Sequence, residues 1–268
     1  MLTTGELRVR LAQQSWTAHN IRLNHELTTL ADQPEFLKTD TRLQAVRRTL
    51  SLVFHGRLEG LRVADLGCLE GGFSLALAQA GANVVALEAR EANIAKARLL
   101  KEHFELDNLE LVRCDVKEFD AGRFGQFDVV LALGILYHLD SPVSWLHQVS
   151  QATRRVLIVD SHFAPEDENL AKIDPRISAL SPIESLEYAG ERFEGRWFFE
   201  FDKSADPEPQ LWASYSNHRS FWLTKQSLLL AMVRAGFAPV FEQHECAADK
   251  YRHFTVTFPR TMLVGVKP

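Results

Sequence analysis

The 268-residue chain has few cysteines and no long apolar run. Cys68, Cys114 and Cys246 show no metal-ligand spacing and cannot all pair with one another, so a reducing cytoplasm is the simplest compartment. Asp160 and His162 alone are too few ligands for a metal site. No uncharged apolar stretch approaches roughly eighteen residues, which predicts that nothing spans a membrane. The first residues also lack the apolar core of a signal peptide.

The chain lacks an excess of basic residues as well. Its formal net charge is −5 and its pI is near 6.1, whereas enzymes that act on nucleic acid usually carry a basic patch. The acidic balance favours a small-molecule partner, although a local patch can survive in an acidic protein and net charge alone does not exclude RNA. The basic residues considered for such a patch are scattered, at Arg42, Arg47, Arg48, Arg154 and Arg155.

From residue 59 onward, predicted strands and helices alternate. This pattern predicts an α/β fold with a parallel sheet and helices on both faces. We expect a core of residues 59–160 and 224–268, an N-terminal helical extension over 1–58 and an insertion over 161–223. The predicted strands are 61–66, 83–88, 108–113, 127–133, 156–160, 238–243 and 253–266; the predicted helices are 72–80, 90–104, 142–152 and 224–235. Helical spacing in the extension is shown by Leu43, Val46, Leu50 and Val53.

A glycine turn follows the first predicted strand. Residues 62–74 read Arg-Val-Ala-Asp-Leu-Gly-Cys-Leu-Glu-Gly-Gly-Phe-Ser. Gly67 allows a positive φ angle, and Gly71 and Gly72 leave no side chain where a helix must approach a ligand closely. The helix start is expected to offer unpaired N–H groups to a carboxylate or phosphate. A dinucleotide enzyme would carry G-x-G-x-x-G, in which the second glycine is here Leu69, and this departure counts against NAD or FAD.

The next two predicted strands each lead into an acidic residue. Glu88 closes the second strand, where a carboxylate can accept two hydrogen bonds from a ribose diol. Asp115 closes the third strand, predicted to run from Leu109 to Cys114. Either acid alone fits a solvated strand end equally well, but together with the glycine turn they predict a nucleoside socket.

The pattern Asp-x-Gly-x-x-x-Gly, from Asp65 to Gly71, resembles motif I of the class I S-adenosylmethionine-dependent methyltransferases, with Leu69 where that motif usually has another glycine. The resemblance implies a Rossmann-like fold with a seven-stranded, mostly parallel sheet and S-adenosylmethionine as the cofactor. It places Asp115 where that family holds the adenine amino group. The cofactor-binding residues that we predict are Asp65, Gly67, Cys68, Gly71, Glu88, Ala89, Asp115, Val116 and Leu133.

The segment from Phe127 to Pro142 contains "LYHL" and "SP" and resembles the tRNA wobble-uridine carboxymethyltransferase branch of these enzymes, as does the lead-in Ser15–Leu23. In that branch a tyrosine at the position of Tyr137 and a C-terminal arginine help to hold a carboxylated donor. Arg252 lies in a comparable tail position without a secure alignment, and the branch's N-terminal lysine has no match. The ordinary methyl donor is therefore favoured.

The insertion is rich in aromatic residues, which predicts a lid or an acceptor pocket. A small separate core or a homodimer contact is the alternative interpretation, and different side chains can serve either purpose. The nine aromatics are Phe193, Trp197, Phe198, Phe199, Phe201, Trp212, Tyr215, Phe221 and Trp222.

A hydroxyl or protonated amine acceptor needs a general base. Candidates follow the fourth and fifth strands: Tyr137, His138 and His162 are the predicted catalytic residues, with Asp160 and His218 as further candidates. A histidine at these places serves equally well as a structural hydrogen-bonding residue.

Three functional hypotheses follow. The favoured one is methyl transfer to an oxygen or nitrogen atom of a small molecule, which the acidic balance and the aromatic insertion support. The second is a tRNA-modifying methyl- or carboxymethyltransferase, which rests on the family resemblance alone. The third is a non-catalytic protein that binds the nucleoside, to which Leu69 gives slight support.

Overall fold

The structure is a computed structural model, which describes residues 1–167, 179–244 and 259–268. Cys246, Arg252 and the first six residues of the last predicted strand, 253–258, therefore lie outside the described residues, as does part of the predicted insertion. By internal contacts the chain divides into two units, Met1–Val116 and Lys117–Pro268. The organisation predicted from the sequence, with an N-terminal extension, a core and an insertion, is not tested by this division and stays a prediction.

The first unit contains five helices and three strands among the described residues. Strand β1 pairs in parallel with β2, and β2 pairs in parallel with β3. In chain order the elements are α1 (Thr4–Ala12), α2 (Phe36–Thr39), α3 (Thr41–Val53), β1 (Arg62–Leu66), α4 (Gly72–Gln79), β2 (Asn83–Glu88), α5 (Glu91–His103) and β3 (Leu109–Arg113).

Local signals account for the helix starts in the N-terminal extension. Thr3 and Glu6 form a reciprocal capping box at the start of α1. The Asp40 side chain accepts a hydrogen bond from the Leu43 N–H at the start of α3. Helix α3 buries one face that includes Val46 and Leu50, as its helical spacing predicts, while residues between α1 and α2 are largely irregular.

The second unit contains the remaining strands of the main sheet and a separate small sheet. Strands β4 and β5 are parallel, while β10 runs antiparallel to both β5 and β9. The elements are α6 (Ala121–Phe124), β4 (Phe127–Leu133), a 3-10 turn (Leu136–His138), α7 (Pro142–Ala152), β5 (Thr153–His162), β6 (Glu184–Tyr188), β7 (Glu191–Phe199), β8 (Arg219–Leu223), α8 (Lys225–Arg234), β9 (Val240–Glu242) and β10 (Arg260–Val266).

The seven strands of the main sheet run in the order β3-β2-β1-β4-β5-β10-β9, which confirms the predicted seven-stranded, mostly parallel α/β sheet flanked by helices. Strand β4 is a nearly continuous apolar run, and β5 contains the buried apolar run Val156–Val159, as a sheet covered on both faces requires. Among the described residues, no helix combines the length and apolarity needed to cross a bilayer.

The described part of the aromatic insertion contains an antiparallel sheet of β6, β7 and β8, which the sequence did not predict. Gly195 of β7 pairs with Leu223 of β8 and with Glu184 of β6. A Cβ atom built at Gly195 would lie 2.4 Å from both the Phe221 ring and the Trp222 carbonyl oxygen. The strands approach this closely because position 195 carries no side chain.

We predict that Gly195→Ala lowers the free energy of unfolding by about 1–3 kcal/mol, because the added methyl group overpacks this sheet. Gly5→Ala is the control, since a Cβ at Gly5 in α1 meets no atom within 4 Å and alanine favours a helix. Urea unfolding of both variants measures the difference. A Gly195→Ala protein as stable as the wild type would refute the close strand packing described.

Candidate active site

The loop between β1 and α4 has a left-handed backbone at three alternate positions. Gly67 has a φ angle of 74°, Leu69 of 52° and Gly71 of 83°. The positive φ at Gly67 confirms the predicted turn. Leu69 stands where this motif usually has a glycine, and it adopts the left-handed conformation that a glycine there would favour. The backbone of the loop is therefore left-handed at this position although the residue is a leucine.

The two glycines at the start of α4 are required by packing within the protein. A Cβ atom on Gly71 would lie 2.9 Å from the Cβ of Ala97 in α5. On Gly72 it would lie 2.7 Å from His19 Nδ1 and 2.8 Å from the Phe36 ring. The expectation that both glycines make room for a ligand is therefore corrected: neighbouring protein groups occupy that space.

The start of α4 is also capped by the protein. The Gly72 N–H donates a hydrogen bond to His19 Nδ1 at 3.1 Å, so the expectation of unpaired N–H groups at this helix start is wrong for Gly72. Burial lowers the pKa of His19, although the Glu70 carboxylate opposes this shift. A neutral ring keeps Nδ1 as an acceptor.

Asp65, the second-last residue of β1, connects that strand to α4 through a hydrogen bond. Its Oδ2 atom accepts a hydrogen bond from the Ser74 hydroxyl at 2.5 Å, and the residue is 3% exposed. Burial raises the pKa of Asp65 to about 6, with a further upward contribution from the Glu88 carboxylate, while Ser74 opposes the shift.

Glu88 is the last residue of β2 and is buried. One carboxylate oxygen accepts the Leu69 N–H at 3.0 Å and the other accepts the Arg90 N–H at 2.9 Å. Burial raises its pKa, and these hydrogen bonds oppose the increase. A carboxylate has about four acceptor positions, so two such bonds leave capacity for a ribose diol.

The other predicted cofactor residues follow the strand ends. Strand β3 ends at Arg113, and Asp115 is half-buried beyond it, so the predicted strand was one residue too long. The Cys114 N–H donates to the Glu88 carbonyl oxygen at 3.1 Å. All predicted cofactor residues except Leu133 belong to the first unit. Cys68 and Val116 are buried, Ala89 is half-buried beside Glu88, and Leu133 is half-buried at the end of β4.

Glu70 is a buried residue of the loop that the sequence analysis did not assign to the site. Its carboxylate forms an ion pair with Lys96 of α5, Nζ to Oε1, at 2.8 Å. It also accepts the N–H groups of Thr17, Ala18 and His19 at 2.7, 3.1 and 2.9 Å. Burial alone would raise the pKa of Glu70, but Lys96 and these N–H groups together hold it below its usual value.

In the second unit, Tyr137 and His138 lie on the 3-10 turn that follows β4. His138 Nδ1 lies 2.9 Å from Oε1 of Glu200, whose side chain is 2% exposed. Glu200 also accepts the Ser220 hydroxyl at 2.7 Å and the Ser214 N–H at 3.1 Å. The carboxylate therefore orients the imidazole with Nδ1–H as the donor.

This tautomer leaves the Nε2 lone pair of His138 as an acceptor. Within residues 1–167, 179–244 and 259–268, no group forms a hydrogen bond with that atom. His138 is half-buried, with 14% of its side chain exposed. An oriented imidazole with an open Nε2 can take a proton from a ligand.

The surroundings of His162 differ from those of His138. An Arg260 N–H lies 3.4 Å from His162 Nε2, and the Pro259 carbonyl oxygen lies 3.3 Å from Nδ1. Arginine only donates, so Nε2 accepts and Nδ1 carries the proton. The ring stacks on Trp222 at 5.1 Å and contacts Tyr137 edge-on at 4.5 Å. Both nitrogens of His162 thus have partners within the protein.

The two further base candidates, Asp160 and His218, differ in their contacts. Arg260 binds Asp160 through two hydrogen bonds of 2.9 and 2.6 Å, so this carboxylate is committed to an ion pair. The backbone carbonyl of His218, rather than its ring, pairs with the Glu200 N–H at 2.9 Å. In the described ranges, no group of three metal-ligating side chains is close enough to hold a metal ion.

The described part of the aromatic insertion contains both buried and exposed aromatic residues, and its role as a lid or acceptor pocket stays a prediction. Phe193, Phe221 and Trp222 are buried, and Phe198 stacks on Trp222 at 5.1 Å. These residues form a small core, whereas the exposed aromatics are Phe199 and Trp212. A homodimer contact through exposed aromatics stays a prediction.

Sequence reasoning missed the partners of its own candidates. Glu200 stands alone as an acid within Trp-Phe-Phe-Glu-Phe, and a carboxylate in such an apolar run was a signal of a buried, paired acid. Glu70 and His19 gave no comparable signal, because 51 residues separate them in the sequence.

We predict that Asp65 makes the protein less stable as the pH rises from its ordinary pKa of 3.8 to about 6. In this window the folded protein binds more protons than the unfolded chain, so the free energy of unfolding falls with rising pH, by about 2 kcal/mol for this group. Urea unfolding of the wild type and Asp65→Asn at several pH values measures the effect. The stability of the wild type relative to the variant should fall across the window; a constant difference would contradict the prediction.

Two solved structures resemble the chain in fold. The N-terminal domain of EvdMO1, crystallised in the presence of S-adenosylhomocysteine (SAH) and D-fucose, matches with a TM-score of 0.71 at 24% identity over 100% of this chain and 98% of that one. Magnesium protoporphyrin IX methyltransferase (ChlM) from Synechocystis PCC 6803, with bound SAH, matches with a TM-score of 0.54 at 20% identity over 89% and 90%.

Curated relatives match over shorter stretches. The O-antigen chain terminator bifunctional methyltransferase/kinase WbdD of Escherichia coli is 30% identical over 168 residues, which are 59% of this chain and 22% of that protein. The ubiquinone biosynthesis O-methyltransferase of Acinetobacter baumannii (strain AYE) is 33% identical over 89 residues, 33% of this chain and 38% of that protein. A family profile described as a methyltransferase domain matches residues 58–194. Because that match covers half of the chain, the chain belongs to the methyltransferase-domain family.

Proposed function

We propose that this protein is a class I S-adenosylmethionine-dependent methyltransferase that acts on a hydroxyl group of a small molecule. Family membership supports the reaction class. The observation that carries the hydroxyl assignment is the His138–Glu200 pair, with Nδ1 at 2.9 Å from the carboxylate and Nε2 open. Because a hydroxyl must lose its proton as it is methylated, its methylation benefits from such a base.

The first unit supplies residues that fit S-adenosylmethionine. Glu88 is buried at the end of β2 and retains acceptor capacity for the two ribose hydroxyls. Asp115 is the proposed partner of the adenine amino group, beside Val116. Gly67 and Leu69 turn the backbone beside Glu88. ChlM and EvdMO1, which share the fold, have structures that contain SAH.

When bound, the cofactor would be held by Glu88 and Asp115 and would supply an electrophilic sulfonium methyl group for the acceptor oxygen, with the thioether of SAH as the leaving group. His138 Nε2 accepts the proton that the acceptor hydroxyl loses. Glu200 stabilises the resulting imidazolium through Nδ1–H and holds the ring orientation. Tyr137, whose ring centroid lies 4.3 Å from that of His138, restricts the movement of this imidazole. His162 supports Tyr137 rather than serving as the first proton acceptor.

The acceptor class is best tested among hydroxylated small molecules. WbdD is named as an O-antigen chain terminator, the Acinetobacter enzyme is named as an O-methyltransferase of ubiquinone biosynthesis, and EvdMO1 was crystallised with D-fucose present. Sugars and phenols are therefore the first acceptors to assay with labelled S-adenosylmethionine. Transfer to neither class, with tight SAH binding retained, would favour the non-catalytic alternative.

The tRNA wobble-uridine branch is the finer alternative. Its support is the sequence around Tyr137 and His138, while Arg252 lies outside the described residues. The acidic balance argues against it. Unmodified tRNA belongs in the same assay, with both the ordinary and the carboxylated donor, because methylation of tRNA alone would replace the small-molecule proposal.

We predict that Glu88→Ala weakens SAH binding by about 1.5–3 kcal/mol, the usual contribution of hydrogen bonds to a charged group. Calorimetric titration measures it. Glu88→Gln retains the shape of the side chain and should fall between the wild type and Glu88→Ala. Glu110→Ala is the control, because Glu110 is exposed on the neighbouring strand β3. Unchanged affinity in Glu88→Ala would show that this acid does not hold the cofactor.

We predict that His138→Ala lowers kcat by about 10²–10⁴-fold, the usual contribution of a general base, with unchanged SAH affinity. Glu200→Gln should lower kcat less and alter its pH profile, because the base remains but loses its charged partner. His25→Ala is the control, since that side chain is 83% exposed. If His138→Ala turned over at the wild-type rate, another group would have to accept the proton.

A further inference from the structure

Glu70 fills all of its hydrogen-bonding capacity with protein groups. Oε1 accepts the Thr17 N–H at 2.7 Å and Lys96 Nζ at 2.8 Å. Oε2 accepts the Ala18 and His19 N–H groups at 3.1 and 2.9 Å. The residue has no exposed surface. Glu70 therefore cannot contact a ligand and can act on one only through its neighbours.

The neighbours of Glu70 along the chain belong to the loop between β1 and α4, which we propose contacts the cofactor. Glu70 stands between Leu69, with a φ angle of 52°, and Gly71, with a φ angle of 83°. A left-handed leucine is strained and persists only where the surroundings hold it. In this conformation the Leu69 N–H donates to Glu88, the acid proposed to bind the ribose.

The same loop is held from its other end by the same N-terminal segment. His19, whose N–H donates to Glu70, accepts the Gly72 N–H through Nδ1. The rings of His19, Phe36 and Phe73 pack against one another, with His19 and Phe36 centroids 4.2 Å apart. Residues 17–19 thus hold the backbone on both sides of Gly71.

We infer that Glu70 is a positioning residue for the cofactor site, which couples residues 17–19 to the affinity for S-adenosylmethionine. By binding three N–H groups of that segment and Lys96, Glu70 fixes the strained Leu69 backbone that orients the Glu88 carboxylate. The inference rests on the proposed function and extends the cofactor site to the N-terminal extension. Coupling is reciprocal, so the bound cofactor must in turn stabilise residues 17–19.

The first test is calorimetric titration of the full-length chain with SAH. We expect Glu70→Gln to bind SAH about tenfold more weakly. The amide keeps one acceptor oxygen, but its NH₂ group would face N–H donors of the protein that now bind a carboxylate oxygen. Glu102→Gln is the matched control: Glu102 joins α5 to Arg10 of α1, at 2.6 Å, away from the loop. It should bind SAH like the wild type.

Hydrogen exchange of the wild-type protein provides a second test that needs no variant. We expect SAH to slow exchange at the Thr17, Ala18 and His19 amides, and Glu70→Gln to abolish that effect. Faster exchange at these amides in Glu70→Gln, with wild-type SAH affinity, would overturn the inference and leave Glu70 a purely structural residue. Exchange of the wild type that is unaffected by bound SAH would overturn it too. If the wild type bound no SAH, the proposed function itself would fall, and the inference with it.

Discussion

The hydrogen bonds and ion pair of the buried Glu70 carboxylate connect the glycine loop of the first unit to its N-terminal segment and to α5. Removing an ionised group from water is costly unless charge and hydrogen bonds replace the lost hydration. Lys96 supplies the charge, and three consecutive N–H groups of residues 17–19 supply the hydrogen bonds. The conformation of the glycine loop is therefore set by an irregular N-terminal segment and a helix that both lie far from it in sequence.

Three buried acids of this unit show how donors decide the protonation of a carboxylate. Asp65 has the Ser74 side chain as its donor, and burial raises its pKa. Glu88 receives two backbone N–H groups, yet burial still raises its pKa. Glu70 has more donors and a lysine, and its pKa falls. The acid with its donors complete has a structural role, whereas Glu88, with unused acceptor positions, is suited to a ligand.

Sequence periodicity predicted the strands that are buried on both faces, because such strands are continuous apolar runs between turn residues. Strand β4 has the limits that were predicted, whereas β5 is longer than its predicted range at both ends. The sheet of β6, β7 and β8 escaped prediction, since Glu184–Tyr188 is short, contains two acids and a serine, and lies in a segment interpreted by its aromatics. The site showed the same limit: Glu88 and His138 follow local motifs, whereas Glu200 meets His138 across 62 residues, a pairing that no local spacing encodes.

The second unit shows that a histidine's role follows from what its nitrogens contact. His162 Nε2 accepts a hydrogen bond from Arg260, and its Nδ1–H donates to the Pro259 carbonyl oxygen. A further proton on this ring would place a cation beside the guanidinium. In His138, Nδ1–H donates a hydrogen bond to the Glu200 carboxylate. A proton gained at Nε2 would therefore create a positive charge that already has its counter-ion. Both rings contact Tyr137, but the His138 ring is hydrogen-bonded to a buried carboxylate and the His162 ring lies against a guanidinium. The proposed general-base role of His138 therefore rests on the partners of its ring, which is why the sequence alone left both histidines as candidates.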